Sequence, residues 1–358
     1  MSIFKAYDIR GKYPGELNEP MANNIGQAIG RFFISRYKLT SPNIVVGRDV
    51  RTSSPALAKN AIDGLLAAGC RITDIGVVST PMSYFACGKY NFDGSVMVTA
   101  SHNPSEYNGF KICREKAIAL SETTGLKDIE KLATEAPSTQ NAKNSLRLYG
   151  EKDIRADYQK FILGFINVKS PLKIVVDTAN GAMGPILNYI FKDETSFQMI
   201  PLFFEPDGRF PNHEPNPMHD ENITRIKQEI TACKADFGVA FDGDGDRCIF
   251  LDEHAQRVPN DIITALIGRE ILGKEKGAHI LYDLRSSWAV NEEITRWGGK
   301  PVRERVGHAF IKETMRRLNV PFGGELSGHY YFRDNYFADC GLIAFIQITN
   351  LLSKEDAP

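Results

Sequence analysis

Short apolar runs that stop abruptly at polar, glycine-bearing loops recur along the chain, and between them lie stretches whose apolar residues fall at helical spacing. The first such stretch, from about Pro20 to Tyr37, puts Met21, Ile25, Ala28, Ile29, Phe32 and Phe33 on one face, and Ser41-Pro42 closes it. Ile44-Val45-Val46 then reads as a buried strand. Gly47 to Pro55 forms the loop after it, with Ser54 as N-cap and Pro55 at the first position of a helix running to Gly69. Residues 7–15, with two glycines and Pro14, form an ordered opening loop rather than a helix. Strand, loop and helix alternating in this way predict α/β sandwiches.

Two partial echoes of the strand-loop-helix unit follow. Lys173 to Gly181 and His279 to Ser287 each carry an apolar strand to an acidic residue, Asp177 and Asp283, and then a polar cap before a helix. The intervals, 128 residues from Asp49 to Asp177 and 106 from Asp177 to Asp283, are too long for a solenoid and suit three tandem domains of similar design. Each unit later presents one polar loop: Thr99 to Pro104, Asp242 to Arg247, and Gly324 to His329. The economical arrangement is one loop per domain on a shared cleft. The boundaries fall in polar, aperiodic sequence: residues 134–146 as a linker and Asp252 to Val258 as a second join, giving domains 1–146, 147–254 and 255–358. Residues 201–217 hold five prolines and form a long rigid loop, and Gly341 to Leu352 form a closing helix.

Composition narrows the function classes. The 358 residues are enough for two or three cores. Lys plus Arg number 43 against 44 for Asp plus Glu, a net charge of −1, which leaves no electrostatic footprint for nucleic acid or an anionic membrane. The six cysteines are widely spaced without a C-x-x-C pair, as reduced core residues are. With no signal-like or membrane-spanning run, cytoplasm is the expected location.

Three loops carry candidate chemistry. Val96-Met97-Val98 is a buried strand that ends at Thr99-Ala100-Ser101-His102-Asn103-Pro104 and so displays Ser101, with His102 adjacent and Lys111 beyond a glycine turn. A serine nucleophile needs such assistance, although Asn103-Pro104 could equally set an ordinary bend. In the second loop single glycines separate Asp242, Asp244 and Asp246. Three carboxylates that close repel one another unless a cation sits among them, and hard oxygen ligands favour Mg²⁺ or Ca²⁺. An EF-hand would want glycine where Arg247 stands, and the flanks Phe237 to Phe241 and Cys248 to Leu251 read as strands rather than helices. An acidic hairpin turn without an ion is the remaining alternative. Arg247 adds a cation suited to a phosphate oxygen. The third loop, Glu325-Leu326-Ser327-Gly328-His329, offers a carboxylate, a hydroxyl and an imidazole. Upstream, Arg303, Arg305, His308 and Lys312 form a basic cluster suited either to phosphate or to a solvated helix face.

Taken together, Tyr7 to Gly11, Gly47-Arg48-Asp49, Thr99 to Pro104, Asp242 to Arg247, Arg305 to His308 and Gly324 to His329 resemble, in order and over nearly the whole chain, the signature set of the α-D-phosphohexomutases, the phosphomannomutase and phosphoglucomutase family. The resemblance implies three tandem α/β/α sandwich domains with mixed sheets around an active-site cleft. It implies Ser101 as the phosphorylated residue, with Asp242, Asp244, Asp246 and an oxygen of the Ser101 phosphate holding Mg²⁺. Arg10, Lys111 and Arg247 would neutralise the transferring phosphoryl group beside His102. Lys111 and His329 would move protons, His308 and Arg285 would meet the substrate, and Glu325 with Ser327 would bind sugar hydroxyls. Arg285 stands where many members have lysine.

The implied reaction interconverts hexose 1- and 6-phosphates, of mannose and glucose, through a 1,6-bisphosphate that also serves as activator. The protein would act as a monomer or weak dimer. Leu326 stands where glucosamine-specific members usually carry glutamine, which leaves phosphoglucosamine mutase as the nearest rival, with a phosphatase or a non-catalytic phosphosugar binder further off. The family's usual fourth domain, with its R-x-S-N-T-x-P loop, has no counterpart in these residues. The expectation is retained Ser101 phosphorylation and metal binding with weakened substrate affinity.

Overall fold

The computed structural model describes residues 3–135 and 148–354. They fall into two units: one runs to Ile154 and includes Asp207–Arg209, and the other comprises Arg155–Pro206 with the residues from Phe210 onward. The linker expected at 134–146 and the join at 146/147 lie almost wholly outside the described residues. Strand Tyr149–Glu151 already pairs with Arg71–Val77 in the first sheet.

Three mixed sheets share one plan. In the first, Asn43–Arg48 lies between the parallel strands Arg71–Val77 and Gly94–Val98, and Gly94–Val98 in turn pairs with the antiparallel return strand Tyr107–Arg114. The second sheet repeats this with Lys173–Asp177 between Gln198–Leu202 and Phe237–Phe241, followed by the return strand Cys248–Leu251. The third has His279–Asp283 between Lys300–Glu304 and Phe322–Gly324, with Tyr330–Phe332 returning. Each strand leading into a candidate loop is buried along its whole length, as apolar runs covered on both faces by helices are. The second sheet continues through Arg257–Val258, past the join expected at 254.

Several local expectations shift. The opening loop contains a strand, Ile9–Lys12, antiparallel to Tyr107–Arg114. Gly109 is therefore not in a turn: it sits opposite Arg10, where a Cβ would lie 1.9 Å from the Ile9 carbonyl oxygen, so the strand approach itself requires glycine. The first helix spans Glu19–Tyr37, with Asn18 accepting the Met21 amide at 3.1 Å, and stops at Lys38 in a left-handed conformation, ahead of Ser41-Pro42. The second, Ser54–Ala67, has Ser53 at its N-cap position and ends before Gly69. Ser54 is drawn into a hydrogen bond with Asp49 instead.

Gly341–Leu352 is a helix, as expected, and is apolar on every side because it is buried on every side. Phe345 meets the rings of Phe191, Phe197, Phe237 and Phe241 at centroid distances of 5.9 to 6.3 Å, so this late helix packs on the second sheet. Among its polar residues, Asn350 accepts the Asn167 amide at 2.7 Å and donates to the Phe165 carbonyl at 2.8 Å, and Thr349 donates to the Phe345 carbonyl at 2.8 Å. The described cysteines are all unpaired by disulfides, and burial pushes the thiols of Cys70, Cys87 and Cys340 up to about 12. Among the described residues no helix is long and apolar enough to cross a membrane.

On the proline-rich loop, His213 Nε2 lies 3.2 and 3.3 Å from the carboxylate oxygens of the buried Asp177. Burial opposes charging of the imidazole, but Asp177 outweighs it and the His213 pKa is raised. A raised folded-state value stabilises below the ordinary histidine pKa and ceases to do so as pH rises through the folded value. Denaturant unfolding should therefore show stability falling as pH rises through the neutral range, and His213→Gln should flatten that slope.

Candidate active site

The Ser101 loop is built by a buried ion pair. Asp49 ends strand Asn43–Arg48, and its Oδ1 accepts the Arg51 amide at 3.0 Å while its Oδ2 takes Arg51 Nε at 3.1 Å and Thr99 Oγ1 at 2.8 Å. Arg51 has a fully buried side chain and donates to four carbonyls of the neighbouring loop: Ser101 at 2.8 Å, Asn103 at 2.6 Å, Pro104 at 2.6 Å and Tyr107 at 3.1 Å. Thr99 Oγ1 accepts the Ser101 amide at 2.9 Å, and Ser101 adopts φ 53°, a left-handed turn that a non-glycine residue holds only when its surroundings fix it. Ser101 thus stands at the strand end, as expected, but is wholly buried rather than displayed.

Around that serine, His102 Nδ1 lies 3.4 Å from Ser101 Oγ. Arg10 donates to Asn103 Oδ1 at 2.9 Å and pairs with Asp8 at 2.5 Å, which joins the first strand to the serine loop. Lys111 is half-buried on the return strand, opposite Met97. Arg51 carries one signal in the sequence, its place two residues after the strand-end aspartate, because its carbonyl partners lie about fifty residues away.

In the other unit the acidic loop turns tightly between two buried strands. Asp242 accepts the Arg247 amide at 3.2 Å, and Gly245 supplies a positive φ of 74°. Asp242, Asp244 and Asp246 are at most 1% exposed, and their carboxylates come within 4.8 Å of one another. Arg247 Nε lies 4.0 Å from Asp242. Three buried carboxylates with oxygen donors alone fit a hard divalent cation, and strands rather than helices flank them, so the cluster is no EF-hand.

The third loop adjoins this cluster. Arg247 and His329 form an antiparallel bridge, and His329 Nδ1 lies 3.8 Å from Asp246 Oδ1 and 2.8 Å from Asp339 Oδ2. Glu325 is buried and already engaged, accepting Tyr331 Oη at 2.6 Å and the Gly307 amide at 3.1 Å, whereas Ser327 is half-buried. Gly307, at φ 126°, precedes His308, the first residue of helix His308–Leu318.

The basic cluster expected upstream does not form as one group. Arg303 donates to the Leu284 carbonyl, Arg305 lies over the Phe310 ring, and Lys312 is buried with its Nζ 2.6 Å from Asp339 Oδ1. Burial works to raise the Asp339 carboxyl, yet Lys312 and His329 hold it well below the usual carboxylate range. Arg285 is bonded through its amide and guanidinium to Asp283, which keeps it charged, and Asp283 Oδ2 also accepts the Leu326 amide at 2.8 Å.

Profiles of phosphoglucomutase/phosphomannomutase α/β/α domains I, II and III match residues 1–140, 156–256 and 259–358 in turn. The chain belongs to the phosphoglucomutase/phosphomannomutase family. It is 41% identical to a phosphomannomutase of Escherichia coli K12 over 99% of this chain and 78% of that protein. It is 39% identical to the phosphohexose mutases of Xanthomonas campestris, again over 99% of this chain and 78% of the relative. A crystal structure of a phosphoglucomutase/phosphomannomutase family protein from Burkholderia thailandensis superposes with a TM-score of 0.90 at 34% identity, covering 99% of this chain and 78% of that one. The phosphohexomutase fold accounts for the three repeated sheets.

Two measurements probe the loops separately. Arg51→Met strands Asp49 and four carbonyls, and should cost about 3–5 kcal/mol of stability in urea unfolding. Asp244→Asn should weaken Mn²⁺ binding, followed by electron paramagnetic resonance, by about tenfold or more while leaving the melting temperature of the metal-free protein nearly unchanged or higher.

Proposed function

We propose that the chain interconverts hexose 1-phosphates and 6-phosphates, those of mannose and glucose, by way of phosphoserine at Ser101 and a hexose 1,6-bisphosphate. The observation that carries this reading is the buried serine held on a left-handed turn by the Asp49–Arg51 pair, a strained and over-determined hydroxyl on a strand that ends at the family's serine motif. A turn of ordinary connecting structure would have no reason to commit a fully buried arginine to four of its carbonyls.

In the forward half-reaction a sugar hydroxyl attacks phosphorus, the sugar O–P bond forms, and the bond from phosphorus to Ser101 Oγ breaks. One proton leaves the sugar hydroxyl and one is gained by the serine oxygen. The return half reverses these steps from the other phosphate of the bisphosphate. Phosphoryl transfer asks the protein mainly for positioning and charge neutralisation. We assign Arg10, Lys111 and Arg247 to the charge of the transferring group, with His102 beside the serine. Lys111 and His329 serve as proton carriers. Arg285, His308, Glu325 and Ser327 contact the substrate; Glu325, with each of its oxygens accepting one hydrogen bond, would add a sugar hydroxyl through remaining lone pairs. Asp242, Asp244 and Asp246 are the assigned Mg²⁺ ligands, and the ion when bound supplies further neutralisation of phosphate charge.

Phosphorus NMR tests the reading directly. With Mg²⁺ and a trace of glucose 1,6-bisphosphate, this chain should convert mannose 1-phosphate and glucose 1-phosphate to the 6-phosphates, and Ser101→Ala should abolish conversion. Release of inorganic phosphate without isomerisation would replace the mutase reading by a phosphatase.

A further inference from the structure

Helix Asn260–Lys274 begins with two adjacent polar residues that are almost wholly buried, Asn260 at 4% and Asp261 at 7% exposed. Asparagine and aspartate at a helix start ordinarily turn back onto the first-turn amides of their own helix. Here the side chains reach out into two different loops. Asn260 Nδ2 donates to the Leu326 carbonyl at 2.9 Å, and Asn260 Oδ1 accepts the Tyr330 hydroxyl at 3.3 Å. Asp261 Oδ2 accepts the Ser287 amide at 2.9 Å, while its Oδ1 takes the amide of Ile262 at 3.0 Å. Both loops carry proposed substrate contacts, Arg285 in the one, Glu325 and Ser327 in the other.

Each loop is already pinned at one point by Asp283, which takes the Arg285 amide on Oδ1 and the Leu326 amide on Oδ2. A single post leaves a loop free to swing about it. The helix start supplies the second point for each: at Ser287, two residues past Arg285, and at the carbonyl of the same Leu326 whose amide Asp283 holds. The helix itself has little room to slide. A Cβ on Gly324, where the strand feeds the loop, would lie 2.1 Å from Thr264 Oγ1, one turn on from Asn260, and Thr264 Oγ1 donates to the Asn260 carbonyl at 2.9 Å. A buried amide or carboxylate has to find partners to offset its lost hydration. Asn260 and Asp261 find theirs on the main chain of loops whose own side chains, Arg285 and Ser287 among them, are exposed.

We propose that Asn260 and Asp261 are positioning residues that set the spacing between the Arg285 loop and the Glu325–His329 loop, so that the guanidinium, the carboxylate and the Ser327 hydroxyl address one hexose phosphate together. The purpose rests on the mutase reading; the tethering does not. Neither residue touches a reacting atom in this assignment. Loops that hold the substrate alike before and during phosphoryl transfer contribute uniform binding, so loosening them raises KM and leaves kcat nearly alone. What Asp261 supplies to Ser287 is an acceptor, and an amide oxygen in its place can serve. What Asn260 supplies to Leu326 is a donor, which neither a carboxylate nor an apolar side chain replaces.

Steady-state kinetics of this chain, with amide hydrogen exchange followed by NMR, test the assignment. Asp261→Leu should raise KM for glucose 1-phosphate about tenfold, keep kcat within about threefold, and speed exchange at the Ser287 amide about tenfold or more. Asp261→Asn should bring all three back to within about threefold of wild type. Asn260→Leu should raise KM by a similar factor and speed exchange at the Leu326 amide, which Asp283 alone then holds. A folded Asp261→Leu or Asn260→Leu variant whose melting temperature falls while KM stays within about threefold of wild type overturns the proposal, since that is the pattern of a packing role. Asp261→Asn as impaired as Asp261→Leu overturns it too, by making charge rather than the acceptor the working feature. If the apolar variants do not fold, Asn260→Asp, of the same shape but without the donor, carries the same expected rise in KM and faster Leu326 exchange, and wild-type values of both sink the idea. Should the wild-type chain convert no hexose phosphate, the mutase reading fails, and exchange at Ser287 and Leu326 in the variants alone decides whether the helix start tethers the two loops.

Discussion

Three aspartates at the ends of equivalent strands set the geometry on which the candidate loops depend. Asp49, Asp177 and Asp283 are each at most 2% exposed, and each accepts the amide two residues onward, at 3.0, 2.8 and 2.7 Å. That local bond stops the strand and starts the turn. Each carboxylate also meets a basic side chain from its own unit: Arg51, His213 and Arg285. A buried carboxylate without such partners would be expensive, and with them it becomes a fixed post to which other loops are tied.

The ties differ, and the difference separates the three sheets chemically. Asp49 reaches the serine loop through Thr99, and Asp283 reaches the third loop through the Leu326 amide. In the second sheet the link is made instead by the Ala182 amide to the Gly243 carbonyl at 3.1 Å, which leaves the acidic loop's own carboxylates facing one another. In all three the loop leaves a wholly buried strand parallel to the aspartate strand and comes back antiparallel. One scaffold therefore positions a serine hydroxyl, a carboxylate cluster and a set of polar side chains, with the difference confined to a few residues after the strand.

This division explains what could be read in the sequence. The aspartate-ended strands, the three loops and the closing helix are local patterns of apolar runs, acids and glycines, and all of them are present where the sequence places them. Tyr331 and Asp339 carry no local signal because their partners are brought close by sheet pairing, and Arg51 offers only its place two residues after Asp49. Lys312 reads in the sequence as part of a basic cluster for phosphate or for a solvated helix face, and strand Ala338–Asp339 instead places a carboxylate against it. The strand at Ile9–Lys12 was missed because four residues between turns carry too little periodicity to declare themselves. Gly109 reads as a turn residue by composition, and only its pairing with Arg10 reveals the steric reason for glycine.

Charge placement in the larger unit follows from the same logic. From Asp242 to Asp339 the structure buries the carboxylates of Asp242, Asp244, Asp246, Asp261, Asp283, Glu325 and Asp339. Those of Asp283, Glu325 and Asp339 are answered by protein groups: Arg285 and two amides, Tyr331 with the Gly307 amide, and Lys312 with His329. Near the three on the acidic loop lie Arg247 Nε, 4.0 Å from Asp242, the Arg247 amide, and His329 Nδ1, 3.8 Å from Asp246. Carboxylates brought within 4.8 Å of one another suit a hard divalent cation. Binding that cation then relieves repulsion which the folded chain otherwise has to bear.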